Sequence, residues 1–190
     1  RFAFPSLKVE RLFLSLNLEL FNGGDRFQKH REISFIANKN QADVVQVVNL
    51  LRIRGLCRDW RFTPIRGMSE REVADTMRRS ALFLSFGHPE GICLASLEAL
   101  ASGCKLSGYS GVGCREYFQP GLACEIPVGD IQAFVEVVEK SVLEYEEDRD
   151  EFLSQSAASQ RFVRENYSPE REQESLLRGL RHLLPGEMDR

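Results

Sequence analysis

The chain has 190 residues, 43% of them apolar and 28% charged, proportions ordinary for one globular core with small appendages. Lys and Arg total 25 against 28 Asp and Glu, a net charge of -3, which leaves no electrostatic footprint for a polyanion and excludes nucleic acid as the main partner. The five cysteines are odd in number and lack any C-x-x-C pair, so neither a disulfide framework nor a zinc site is supported, no metal ligand is assigned, and a reducing cytoplasm is the expected location.

No run approaches the roughly 20 apolar residues of a membrane span, and no signal-peptide pattern opens the chain. The start at Arg1 rather than Met reads as a piece of a larger protein. Residues 1–31 join short alternating runs, LFLSLNLELF (12–21), to the turn-rich NGGDRFQKHRE (22–32), and read as a connection. From residue 33 onward strand-like and helix-like patterns alternate. ISFIA (33–37) predicts a strand; QADVVQVVNLLRIRG (41–55) predicts a helix with Val44, Val47, Val48 and Leu51 on one stripe, ending at Gly55. WRFTPI (60–65) predicts a second strand. Ser69 and Glu72 form an S-x-x-E capping box that opens a helix with Val73, Met77 and Ser80 on related faces.

ALFLSF (81–86) is an unbroken apolar run of strand length, as a central parallel strand requires. HPEGICLASLEALASG (88–103) follows as loop and helix, CKLSGY (104–109) as a fourth strand, GVGCREYF (111–118) as a turn and short helix, and LACEIPV (122–128) as an edge strand. Asp130 caps a helix through Val142, and residues 144–184 read as charged amphipathic helix with Ser168 and Pro169 opening the last one. The βαβα order argues for an α/β doubly wound parallel sheet. The expected division is a connecting remnant over 1–31, a Rossmann-like domain over 32–145, and C-terminal helices over 146–190 that pack on a domain not present here.

In such sheets ligands sit at the carboxyl ends of the strands, and the 88–103 stretch occupies one of those turns. Gly91 lacks side-chain bulk where the backbone enters the helix, whose first free N–H groups would face an anion such as a phosphate. Glu98 follows Glu90 by eight residues, roughly 10 to 12 Å of backbone if mostly helical. That exceeds the roughly 5 Å between the carboxyls of a retaining glycosidase, and suits two carboxylates that grip hydroxyls at opposite ends of a long ligand with an anionic middle. Taken alone, Glu98 reads equally well as a helix glutamate reaching solvent, and Glu90 as a carboxylate favoured by a helix N-terminus. His88 reads as incidental and the cysteines as structural thiols. Gly111 and Gly113 give G-x-G, but Glu116 stands where a dinucleotide fingerprint needs a third small residue, so NAD is unsupported.

EGICLASLE resembles the E-x7-E signature of GT-B fold glycosyltransferases, particularly the large retaining group 4, which runs E-G-F-G-L-P-x-L-E-A-M-A-x-G-x-P-V. The chain keeps Glu90, Gly91, Leu94, Leu97, Glu98, Ala99, Ala101 and Gly103, and departs at Ile92, Cys93, Ala95 and Lys105. FTPIRGMSEREVADTMRRSALFLSF resembles the family's segment before the motif. GYSGVGCREYF is similar to its G-G-x-x-E segment after it, with Cys114 replacing the second glycine, and LSLNLELF is similar to its interdomain hinge. The resemblance covers about residues 10–145.

It implies the C-terminal, donor-binding half of a hexosyltransferase-like enzyme that moves a sugar from a nucleotide diphosphate sugar to a saccharide or other acceptor with retention, commonly in polysaccharide or glycan assembly. Glu90 would bind donor-sugar hydroxyls as the catalytic carboxylate, amides near Gly91, Ile92 and Cys93 would meet sugar and phosphate, and Glu98 would hold the ribose. Lys39 would meet the diphosphate, with Asn38 standing where an arginine is usual, and Arg66 and Gly67 would line the base. No metal or other cofactor is implied, the nucleotide sugar being substrate. The resemblance also implies an N-terminal domain absent here, a cytoplasmic location that includes the inner face of a membrane reached through that domain, and little or no transfer by this fragment alone. Two alternatives stand beside it: a degenerate GT-B domain kept as a binding or scaffold module, suggested by Asn38, Cys93 and Cys114, and a GT-B sugar-nucleotide epimerase.

Overall fold

A computed structural model of the chain describes residues 6–23 and 29–184. The middle of the turn-rich stretch (24–28) and the outer ends of the expected first and last segments (1–5 and 185–190) lie outside the described residues. The element order is β1 His30–Ile36, α1 Gln41–Arg54, β2 Arg61–Ile65, α2 Glu70–Arg79, β3 Ser80–Phe86, α3 Leu94–Ala101, β4 Lys105–Tyr109, β5 Ala123–Glu125, α4 Ile131–Glu147, α5 Arg149–Asn166 and α6 Pro169–Leu183. The strands form one sheet in the order β2-β1-β3-β4-β5, every neighbouring pair parallel. This is the α/β doubly wound sheet that the sequence predicts.

Two apolar clusters cover the two faces, and the strand alternation divides side chains between them. Leu82, Leu84 and Phe86 of β3 join Ile33 and Phe35 of β1 against Val44, Val47, Val48 and Leu51 of α1 and Phe134, Val138 and Val142 of α4. Phe83 points to the other face and meets Met77 of α2, Leu97 and Leu100 of α3, and Val163 of α5. The apolar stripe of α1 is the buried one, and Gly55 ends the helix at φ 80, a left-handed cap that a side chain disfavours. Both arms of the Ser69/Glu72 capping box are formed.

The structure corrects several expected boundaries. GVGCREYF contains turns and no helix, because Gly111 turns at φ 61 and a Cβ at Gly111 or Gly113 would collide with carbonyl oxygens of the 88–91 loop. Close packing between loops has replaced local helix formation. Ser80 belongs to the first residue of β3 rather than to a helix face, its hydroxyl donating to the Thr76 carbonyl at 2.8 Å. The edge strand shrinks to three residues, and the helix capped by Asp130 runs on to Glu147.

Residues 10–16 lie beside α6, with the Phe13 amide donating to Ser175 Oγ at 3.1 Å and the Ser15 hydroxyl to Glu172 at 2.5 Å. Leu16 and Phe21 are buried in the second apolar cluster, so this stretch is part of the packed body. The α5 helix lies on the chain's own α3 and α4. Lys29 is buried, and its ammonium donates to the Met77 carbonyl at 2.9 Å and the Ser102 carbonyl at 2.7 Å, at the carboxyl ends of α2 and α3. Among the described residues no helix is long and apolar enough to cross a membrane.

Candidate functional site

In the order β2-β1-β3-β4-β5 the connections leaving β1 and β3 diverge, α1 to one face and α3 to the other. That divergence opens a crevice at the carboxyl ends of β1 and β3, the usual ligand position in an open parallel sheet. The loops at its rim are residues 37–40 and 87–93, the stretches that hold Lys39, Glu90, Gly91, Ile92 and Cys93.

The two loops are clasped by Asn40. It sits in the left-handed region at φ 41, does not cap α1, and sends its side-chain amide to the carbonyls of Phe86 and Gly87, both at 3.1 Å. Its backbone N–H donates to Nε2 of His88 at 3.3 Å. Beside this clasp the Lys39 ammonium reaches both carboxylate oxygens of Glu90, at 2.7 and 2.9 Å, and Sγ of Cys93 at 3.8 Å. Burial is the largest single influence and opposes the charge on Lys39, but the bonds to Glu90 and the nearby Cys93 sulfur together hold the ammonium above its ordinary pKa.

A third loop, after β4, closes the floor. Gly113 donates its N–H to the Glu90 carbonyl at 3.0 Å, an approach that leaves no room for a Cβ at 113 against the Gly91 carbonyl. At Gly91 itself a Cβ would meet nothing within 4 Å, so packing within the chain demands glycine at 113 rather than at 91, and the space before Gly91 is open. The Tyr117 hydroxyl accepts from the Cys93 N–H at 3.2 Å and donates to the Cys93 carbonyl at 3.1 Å. The Cys93 amide, expected to face the ligand, is therefore committed to Tyr117. Cys93 is the N-cap of α3 without a side-chain cap bond, and the first turn of α3 carries no acidic residue, which leaves that helix end open to an outside anion.

Glu98 lies on the second turn of α3, half-buried. Its pKa is pushed up to about 7, first by burial and then by the charge of Glu70, the first residue of α2. Glu98 thus faces the start of α2, just beyond the loop that carries Arg66 and Gly67. Arg66 is exposed, and Gly67 turns at φ 62. Ile36 pairs with Ile65, so the 66–67 loop borders the 37–40 loop on the same edge. Arg66, Gly67, Lys39 and Glu90 thus lie along one rim, with Glu98 below them on α3.

Two positions escaped the sequence reading, Asn40 and Tyr117, and His88, read there as incidental, accepts the Asn40 N–H; all three work through contacts between loops far apart in the chain. The one local signal was an Asn directly before a helix, which ordinarily suggests an N-cap. Tyr109 adds a strut beneath the site, its hydroxyl donating to Asp43 of α1 at 2.9 Å and its pKa raised to about 12 by burial and then by that carboxylate. A cleft of about 770 Å³ lies elsewhere, between α5 and the β4–β5 side, lined by Leu106, Phe118, Leu122 and Phe152. It touches none of the residues above, and the strand-end geometry favours the crevice as the chemical site.

No family model matches the chain. Over 50 residues, 26% of this chain, it is 46% identical to an alpha-1,6-glucosyltransferase of Actinobacillus pleuropneumoniae serotype 7, a match that spans 15% of the relative's length. The structure is similar to S. aureus TarM, solved in complex with fondaparinux, alpha-GlcNAc-glycerol and UDP, with a TM-score of 0.77 and 14% identity over 93% of this chain and 40% of TarM. It is similar also to a glycosyltransferase of Rickettsia africae, with a TM-score of 0.72 and 10% identity over 92% of this chain and 57% of that one. The C-terminal domain of LpcC, a group 1 family glycosyl transferase of Francisella tularensis, aligns over all of its length and 82% of this chain, with a TM-score of 0.62 and 12% identity. Together these likenesses identify the fold as that of the C-terminal domain of GT-B glycosyltransferases.

Proposed function

We propose that this chain, built on the C-terminal domain fold of GT-B glycosyltransferases, is the donor-binding part of an enzyme that transfers a sugar from a nucleotide diphosphate sugar to a saccharide acceptor with retention. The observation that carries the reading is the meeting of Lys39, Glu90 and the uncapped start of α3 at the β1/β3 crevice, with Glu98 further along the same helix. Lys39 and the α3 amides neutralise the leaving diphosphate in place of a metal ion. Glu90 receives hydroxyls of the transferred sugar, Glu98 receives those of the ribose, and Arg66 and Gly67 flank the base. The acceptor and an N-terminal domain complete the site from the other side.

Calorimetric titration with UDP, GDP and ADP tests this. One nucleotide should bind, and Lys39→Ala and Glu98→Ala should each weaken it about tenfold or more, as expected for loss of a charge-assisted hydrogen bond. Absence of binding by every nucleotide at millimolar concentration would refute the donor site. It would favour a second reading, a GT-B domain kept as a binding module, which the Cys93 amide spent on Tyr117 and Asn38 in an arginine's place support.

A further inference from the structure

In the crevice the groups assigned to different parts of the donor hold each other. Lys39, the cation for the diphosphate, gives two hydrogen bonds to Glu90, the carboxylate for the sugar, at 2.7 and 2.9 Å. Each side chain is about a quarter exposed, at 28%, a setting in which neither charge is fully hydrated. Among the described residues Glu90 has no other hydrogen-bond donor to its carboxylate, and Lys39 has only the Cys93 sulfur besides. A donor cannot be held by both groups while they are spent on one another.

We infer that the Lys39–Glu90 pair is a charge lock that favours the intact sugar nucleotide over the free nucleoside diphosphate, an inference that rests on the donor-site reading above. A diphosphate draws Lys39 away and leaves Glu90 beside an anion without its partner. The hydroxyls of an attached sugar supply the missing donors, so the intact donor regains what the opened pair loses. A nucleoside diphosphate without sugar opens the same pair and regains nothing. Once the sugar has left, Glu90 recaptures Lys39, and the spent nucleotide is released.

The test is a double-mutant cycle measured by calorimetry with the nucleoside diphosphate that binds and its sugar conjugate. Glu90→Gln should bind the bare diphosphate about three- to tenfold more tightly, because a neutral amide no longer holds Lys39, and should lose the preference for the sugar form. In a Lys39→Met background the same change should alter affinity for the bare diphosphate by less than about twofold. Glu90→Asp, whose shorter carboxylate reaches Lys39 poorly, is the second variant should Glu90→Gln not fold, and its affinity should move in the same direction. An unchanged or weaker affinity in Glu90→Gln overturns the lock while leaving the donor site standing. An equal gain in both backgrounds also overturns it, since that is the mark of simple repulsion between carboxylate and phosphate. Failure of the unsubstituted protein to bind any nucleotide removes the donor site and the lock together.

Discussion

Glu98 carries a cost that pH exposes. Its folded pKa, about 7, lies above the 4.5 of the unfolded chain, because burial and Glu70 disfavour its charge. The stabilising contribution of the neutral acid is complete below 4.5 and is lost as pH rises through about 7. Urea unfolding should therefore find Glu98→Gln more stable than the unsubstituted protein at pH 8, by about 1 to 2 kcal/mol, and nearly equal to it at pH 4.5. A gap independent of pH would place the effect in packing instead. If Glu98 receives ribose hydroxyls as proposed, its ionised form is the stronger acceptor, so nucleotide affinity should rise between pH 6 and pH 8 by more in the unsubstituted protein than in Glu98→Gln. Spacing draws attention to Glu90 and Glu98 in the sequence, and Lys39 comes to notice only through the resemblance of its turn to the family's. The sequence hides Asn40, since a left-handed asparagine clasping the end of a strand 46 residues away leaves no local pattern.

Among the elements, α2 and α3 share a cation. Lys29 donates to carbonyls at the carboxyl ends of both helices, where the backbone dipoles place partial negative charge. Burial still drives its pKa down, with the neighbouring Cys104 thiol acting the other way. Lys29→Met would leave those carbonyls without donors in the interior, and a loss of about 2 to 4 kcal/mol in urea unfolding is expected. A change within experimental error would show that water takes over the carbonyls. Gly113→Ala tests the contact between the β3 and β4 loops. The added methyl has to displace the Gly91 carbonyl, so stability should fall by about 1 to 3 kcal/mol and nucleotide affinity should fall with it. The strands and long helices were legible because their periodicity depends on neighbours in sequence: ALFLSF has the length and unbroken apolar run expected of a covered central strand, and all seven residues of β3 are buried. GVGCREYF was misread because its conformation is set by the loop it lies against.

Across the whole molecule the beginning, read from its sequence as a connection, has Leu16 and Phe21 buried in the second apolar cluster. It is tied down at both levels: Leu16 donates its N–H to the Tyr167 carbonyl at 3.0 Å, and Glu116 accepts from both Arg11 and the Tyr167 hydroxyl. Three distant segments meet at that carboxylate. Glu116→Ala should loosen them together, speeding hydrogen exchange in residues 10–16 and at the start of α6 while the central strands stay protected. Equal acceleration throughout would mean that the clasp belongs to the global unfolding unit.

The same segment ends in a pairing between Glu10 and His182, 2.8 Å apart, so the first and last described elements finish side by side. That adjacency makes the described fold a good subject for circular permutation, with a linker joining the chain near Glu10 to the chain near His182 and new ends opened at the exposed turn around Gly129.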